Sequence, residues 1–207
     1  MASSVSAPLG ERPAAPVAGI GDPVPLGLAC FGLTTICLSV INAGWLSAAA
    51  MPMVLAVALP VGGVVQILAA MWAYRRGSTF PATAFAAYGA FWISFYLLIN
   101  YGVPAILATK GAPANALTGA IGLYLFVWGV FTAYMLVASL ALGRALPVVF
   151  ALLTLTFLVL AIGWWANDSS ALISIGGYLG ILTGIGALYI SFADITKDTF
   201  KREILPT

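Results

Sequence analysis

The sequence predicts an all-α integral membrane protein with six transmembrane helices and both termini in the cytoplasm. Three observations carry that prediction. Of 207 residues, 62% are hydrophobic and only 7% are charged, whereas ordinary soluble domains carry about 25% charged residues. The apolar residues gather into six runs, 25–44, 52–73, 82–103, 116–141, 147–166 and 170–193. Each reaches or exceeds the ~20 residues that a helix needs to cross the hydrocarbon core. Finally, seven of the eight Lys and Arg residues fall on one side of that alternation: Arg12, Arg75, Arg76, Arg144, Lys197, Lys201 and Arg202. Lys110 stands alone on the other side, so the positively charged side is expected to be cytoplasmic.

Taken in order, residues 1–21 are rich in Ala, Pro, Ser and Gly, and Glu11-Arg12 interrupts them. They lack the continuous apolar core of a secretory signal, and a short disordered cytoplasmic tail is expected there. A membrane domain over 22–195 and a cytoplasmic tail over 196–207 would follow. Asp22-Pro23-Val24-Pro25-Leu26-Gly27-Leu28 leads into the first run. Its two prolines fix φ, which predicts a rigid extended lead-in with the helix beginning near Leu26. The helix N-terminus that follows carries a partial positive charge at the bilayer boundary; it would serve an anion path or be a plain cap.

The first run carries Thr34, Thr35, Ser39 and Asn42, together with Cys30 and Cys37. Seven residues separate the two cysteines by roughly 10 Å along a helix, too far for a disulfide, so they read as small packing residues. The second run holds Gln66 and ends at Trp72 and Tyr74, aromatic anchors for the cytoplasmic edge. The third carries Thr83, Ser94 and Asn100 and reaches Tyr101, which anchors the outer edge with Trp45, Trp164 and Trp165. The fourth has Thr132 and Ser139 among Gly119, Gly122 and Gly129, and the fifth has Thr154 and Thr156. In the sixth, Gly176, Gly180 and Gly184 recur every four residues. Small residues at that spacing let helix backbones approach closely, within one subunit or between subunits.

What is missing inside the membrane excludes most chemistry. No Asp, Glu, Lys, Arg or His stands in the middle third of any run, and the chain has no histidine at all. A charge at the bilayer centre costs at least ~2.5–3.5 kcal/mol and marks proton or ion relays. Its absence argues against a hydrolytic enzyme, a redox carrier and a carboxylate-based pump. No cofactor or metal site is indicated, and a net charge of +2 spread over loops gives no reason to expect nucleic acid. Hydroxyls and amides interleaved with aromatics suit either interhelical hydrogen bonds or a narrow path for a small, partly apolar solute.

Several short motifs stand in one register from residue 22 to 206. Asp22-Pro23-Val24-Pro25-Leu26-Gly27-Leu28 is followed by Phe31-Gly32-Leu33-Thr34-Thr35 and Asn42-Ala43-Gly44. Gly62-Gly63-x-x-Gln66, Thr79-Phe80, Thr83-Ala84-Phe85, Tyr88-Gly89 and Phe91-Trp92 come next. Leu123-Tyr124-Leu125-Phe126, Trp128-Gly129, Phe131-Thr132, Leu160-Ala161-Ile162-Gly163 and Ile204-Leu205-Pro206 complete the set. In this pattern the chain resembles the acetate uptake transporter family, the succinate–acetate permeases of bacteria and their fungal relatives. It departs from that family at three places. Asp22 stands where the family has Asn, Ala73 stands where it has Glu, and the turn Gly77-Ser78-Thr79-Phe80-Pro81 ends in Pro rather than Gly.

The resemblance implies six helices around a central path, a homohexamer, and a multi-pass place in the plasma membrane, the bacterial inner membrane. It implies passage of acetate and related short-chain carboxylates, succinate among them, with or without a linked proton. A hydrophobic constriction would fall at Phe31, Tyr88 and Leu153. The expected vestibule and path include Asp22, Pro23, Pro25, Leu26, Gly27, Thr34, Thr35, Asn42, Gln66, Trp92 and Ala187, the last where the family tunes solute size. Two alternatives stand beside this: a channel for another small solute such as ammonia or urea, and a non-transporting membrane sensor or scaffold.

Overall fold

Residues 19–206 are described by the computed structural model, so most of the expected N-terminal tail, residues 1–18, lies outside the described residues. Among the described residues six helices are long and apolar enough to cross a membrane: α1 (Val24–Asn42), α2 (Ala48–Arg75), α3 (Thr79–Ala108), α4 (Ala116–Ser139), α5 (Ala145–Trp165) and α6 (Ser170–Phe200). No strand occurs among them. The predicted all-α, six-span architecture is therefore the observed one.

Helix ends differ from expectation at prolines. The extended lead-in before Leu26 is absent: Pro23 already has helical dihedrals, φ −80° and ψ −12°, and α1 begins at Val24. A first-turn proline loses nothing, because its missing N–H is one of the helix's unpaired donors anyway. Asp22 supplies the cap, its Oδ1 accepting from the Val24 N–H at 3.1 Å. Inside α2, Pro60 cannot donate to the preceding turn, and Ala58–Val65 widens into π-type turns instead of breaking. A similar widened stretch, Leu98–Gly102, precedes Pro104 and lets α3 run on to Ala108, past the expected end at 103. The boundary drawn at 195 falls inside α6, which meets no breaker before Lys201 turns left-handed at φ 54°.

The helices form a closed ring. α1 packs along α6 on one flank and along α2 on the other, α2 pairs with α3, and α5 lies between α4 and α6. Glycines set the α1–α6 distance: a Cβ on Gly184 would lie 2.5 Å from Ile36 Cγ1 and 2.9 Å from the Gly32 carbonyl oxygen. Farther along the seam, Ser191 Oγ donates to the Pro25 carbonyl at 2.6 Å. The α3–α4 seam is made differently, by large side chains that keep the backbones apart, with Phe91 stacked on Tyr124 at 5.7 Å and Tyr88 edge-on to Phe131 at 5.5 Å. At one end of the ring, Ile20–Asp22, Arg76 and the segment 197–203 surround a single cleft. The first and last parts of the described chain and the turn after α2 thus gather at the same end.

Candidate solute path

Three helices each contribute one stripe to a cavity of about 510 Å³ inside the ring. α1 gives Val24, Leu28 and Phe31; α3 gives Ala84, Phe85 and Tyr88; α5 gives Leu146, Val149, Phe150 and Leu153. Spacings of three and four residues place each set on one helix face. The mouth is formed by Ser78, Thr79, Phe80, Pro81 and Leu142, which places it at the end where Arg76 meets Ile20–Asp22 and the segment 197–203. Following each stripe inward from the mouth, the last lining residue is Phe31 on α1, Tyr88 on α3 and Leu153 on α5. Seven residues from Val24 to Phe31 correspond to a depth of roughly 10 Å. The three expected constriction residues therefore form the cavity's floor, with the Phe31 and Tyr88 rings 5.4 Å apart.

The walls are almost wholly apolar. The exception at depth, besides the Tyr88 hydroxyl, is Gln66, which is fully buried, and neither its Nε2 nor its Oε1 has a hydrogen-bond partner among the described residues. Burying an amide unpaired is costly, so a polar group that reached Gln66 Oε1 or Nε2 would be stabilised there. The wide turns of α2 place this side chain. One turn before it, a Cβ on Gly62 would lie 2.6 Å from Trp92 Cγ and 2.9 Å from Thr34 Cγ2. Only glycine lets α2 sit that close to α1 and α3 at once.

The other expected path residues spread over three settings. Thr34, Thr35 and Trp92 are buried but do not line the cavity; Thr35 Oγ1 and Trp92 Nε1 have no partner among the described residues, while Thr34 bonds back to the Cys30 carbonyl. Asp22, Pro25 and Leu26 line the outer cleft, of about 1200 Å³, and Leu26 is exposed rather than turned inward. Pro23 is buried at the start of α1, and Gly27 is buried where a Cβ would meet the Phe85 ring at 2.5 Å, so its smallness lets that ring form the cavity wall. Asn42 is half-buried at the far end of α1, and Ala187 is buried in the bundle away from the cavity.

The three departures from the family pattern also have places. Asp22 is not a bare acid, because Arg76 Nη1 lies 3.9 Å from its Oδ1 and also donates to the Ile20 carbonyl at 3.3 Å. Ala73 is fully buried, and Pro81 lines the mouth. Reasoning from sequence did not single out Phe85 and Phe150, which wall the cavity, or the contacts of Thr132, whose Oγ1 accepts from the Tyr88 hydroxyl at 3.1 Å. The i, i+3 spacing of Phe150 and Leu153 was the available signal, but it stands in a helix apolar all round.

Along most of its length the chain is similar to known proteins. The model of the GPR1/FUN34/yaaH family matches residues 9–204. The chain is 36% identical to the succinate-acetate/proton symporter SatP of Escherichia coli (strain K12), over 90% of this chain and 95% of that protein. It is 35% identical to acetate permease A of Emericella nidulans, over 89% of this chain and 65% of that one. A solved structure of the bacterial acetate channel SatP matches with a TM-score of 0.80 at 36% identity, covering 90% of this chain and 98% of the other.

Proposed function

This chain belongs to the GPR1/FUN34/yaaH family, and from that premise we propose that it carries acetate and related short monocarboxylic acids across the plasma membrane. The observation that carries the reading is the apolar cavity floored by Phe31, Tyr88 and Leu153, with one unpartnered amide, Gln66, at depth. Among the described residues no cation lines that cavity, so an ionised carboxylate would lose its hydration there with little return. An undissociated acid fits better. Its O–H donates to Gln66 Oε1 while Nε2 donates to its carbonyl, so both amide atoms are satisfied at once. A carboxylate can only accept, and would set an oxygen against Oε1. The proton then travels on the substrate, and no titratable side chain is needed within the membrane.

The mouth faces the cytoplasm in this reading, since the loops carrying Arg75, Arg76 and Arg144 lie at that end. The names of the relatives and the match to the acetate channel support the substrate class. Six such subunits would assemble in the membrane, a state that the native mass of the purified complex in detergent reads directly.

Uptake of labelled acetate into proteoliposomes, corrected for empty vesicles, tests the whole reading. The protein-dependent rate is expected to fall about tenfold per pH unit above the carboxylic range near pH 4–5, following the undissociated fraction. Gln66→Leu is expected to lower it roughly 5- to 150-fold, the equivalent of leaving the acid's polar group unpaired by about 1–3 kcal/mol. A rate no greater than that of empty vesicles would sink acetate transport. A flat pH profile, or Gln66→Leu within twofold of the native protein, would sink the amide–acid pairing.

A further inference from the structure

We propose that Thr132 on α4 is a positioning residue that sets solute size by holding the Tyr88 ring across the floor of the cavity. The inference rests on the transport reading above and on a proton count. Thr132 has a single hydroxyl hydrogen, and it is committed: Oγ1 donates to the Trp128 carbonyl one turn back at 2.7 Å. Its oxygen therefore acts toward Tyr88 as acceptor, and the Tyr88 O–H donates to it at 3.1 Å. Both residues are buried, Thr132 completely. The order of donors runs in one direction, Tyr88 to Thr132 to the Trp128 carbonyl, and nothing in it can reverse without leaving a buried donor unpaired.

Two consequences follow. The Tyr88 hydroxyl has no proton to offer a passing carboxyl group, so Tyr88 acts on the solute as a ring and Gln66 is the donor at that depth. The ring is also held at both ends. Phe31 packs on it at 5.4 Å, Phe131 at 5.5 Å and Phe150 at 6.3 Å, while the hydroxyl is tied to α4. Packing alone allows an aromatic ring to swing when a solute pushes. A swing of Tyr88 away from Phe31 also breaks a hydrogen bond between two buried groups. Small acids pass with a slight displacement, whereas bulkier ones need the full swing and meet the added resistance.

The test compares acetate and butyrate uptake in proteoliposomes for the native protein, Thr132→Val, Thr132→Ser, Tyr88→Phe and the double variant Thr132→Val/Tyr88→Phe. Thr132→Val and Tyr88→Phe are each expected to raise the butyrate-to-acetate ratio about fivefold or more. Thr132→Ser, which keeps both bonds, should restore the native ratio. In the double variant the two effects should not add, because either one already removes the bond. Effects that multiply, or a ratio unchanged in Thr132→Val, would overturn the assignment. If Thr132→Val does not fold, Tyr88→Phe decides alone, since it deletes the same bond from the other side; a native ratio there overturns the proposal. Native protein that takes up acetate no faster than empty vesicles removes the transport reading itself, a failure distinct from these.

Discussion

Gly62 shows how one missing side chain places a functional one. A Cβ there would meet Trp92, which is 2% exposed and has nowhere to retreat, and Thr34, which is fully buried. Gly62→Val is therefore expected to cost about 1–3 kcal/mol by overpacking and to lower acetate uptake by displacing the turn that carries Gln66. Unfolding in detergent read beside transport checks both parts; native stability and native uptake would contradict the account. At this scale the sequence was partly legible. Phe31, Tyr88 and Leu153 were placed by their motif register, and Gln66 stood out as the only amide in its run. Phe85, Phe150 and the role of Thr132 did not stand out, for a physical reason. In helices that are apolar on every face, an inward-facing aromatic has the same sequence signature as one facing lipid, so periodicity carries no message.

Among the elements, length and hydropathy located all six helices because the bilayer imposes a minimum span that short loops cannot hide. Their ends were harder to read. Proline was expected to exclude a helix at residues 23–25, yet in a first turn it costs nothing, and within α2 and α3 the backbone widened into π-type turns rather than breaking. Water cannot satisfy groups released in a membrane, so keeping the helix continuous is the better solution there. The glycine repeat was legible as close packing but not as to its partners, which prove to be α5 at Gly176 and chiefly α1 at Gly180 and Gly184. Gly184→Val would drive a side chain into Ile36 and the Gly32 carbonyl, which is backbone and cannot rotate aside. It is expected to destabilise the subunit by about 2–3 kcal/mol, with a matching fall in its denaturation midpoint in detergent. An unchanged midpoint would move that stripe's role from packing within the subunit to contact outside it.

For the whole molecule, most charges of the described residues collect at the end of the ring where the cavity opens, and their arrangement bears on which form of the substrate enters. Asp22 and Arg76, both partly exposed, face each other across 3.9 Å between the start of α1 and the turn after α2. Val24, two residues from Asp22, and Ser78, two residues from Arg76, both line the cavity. The pair therefore borders the mouth. An exposed pair of this kind is worth only ~0.2–1 kcal/mol, so neither Asp22→Asn nor Arg76→Gln should unfold the protein. Their effect on transport separates two species. A potential of one kT at the mouth changes the local concentration of an anion about threefold, an effect screened within about 10 Å at 0.1 M salt. The concentration of an undissociated acid does not respond to potential at all. If Gln66 receives the acid form, both variants should stay within about twofold of the native initial rate, with no dependence on ionic strength between 10 mM and 0.5 M. Opposite shifts of several fold in the two variants, fading as salt is raised, would show that the anion itself is drawn into the mouth, and the proton would then need a route separate from the substrate.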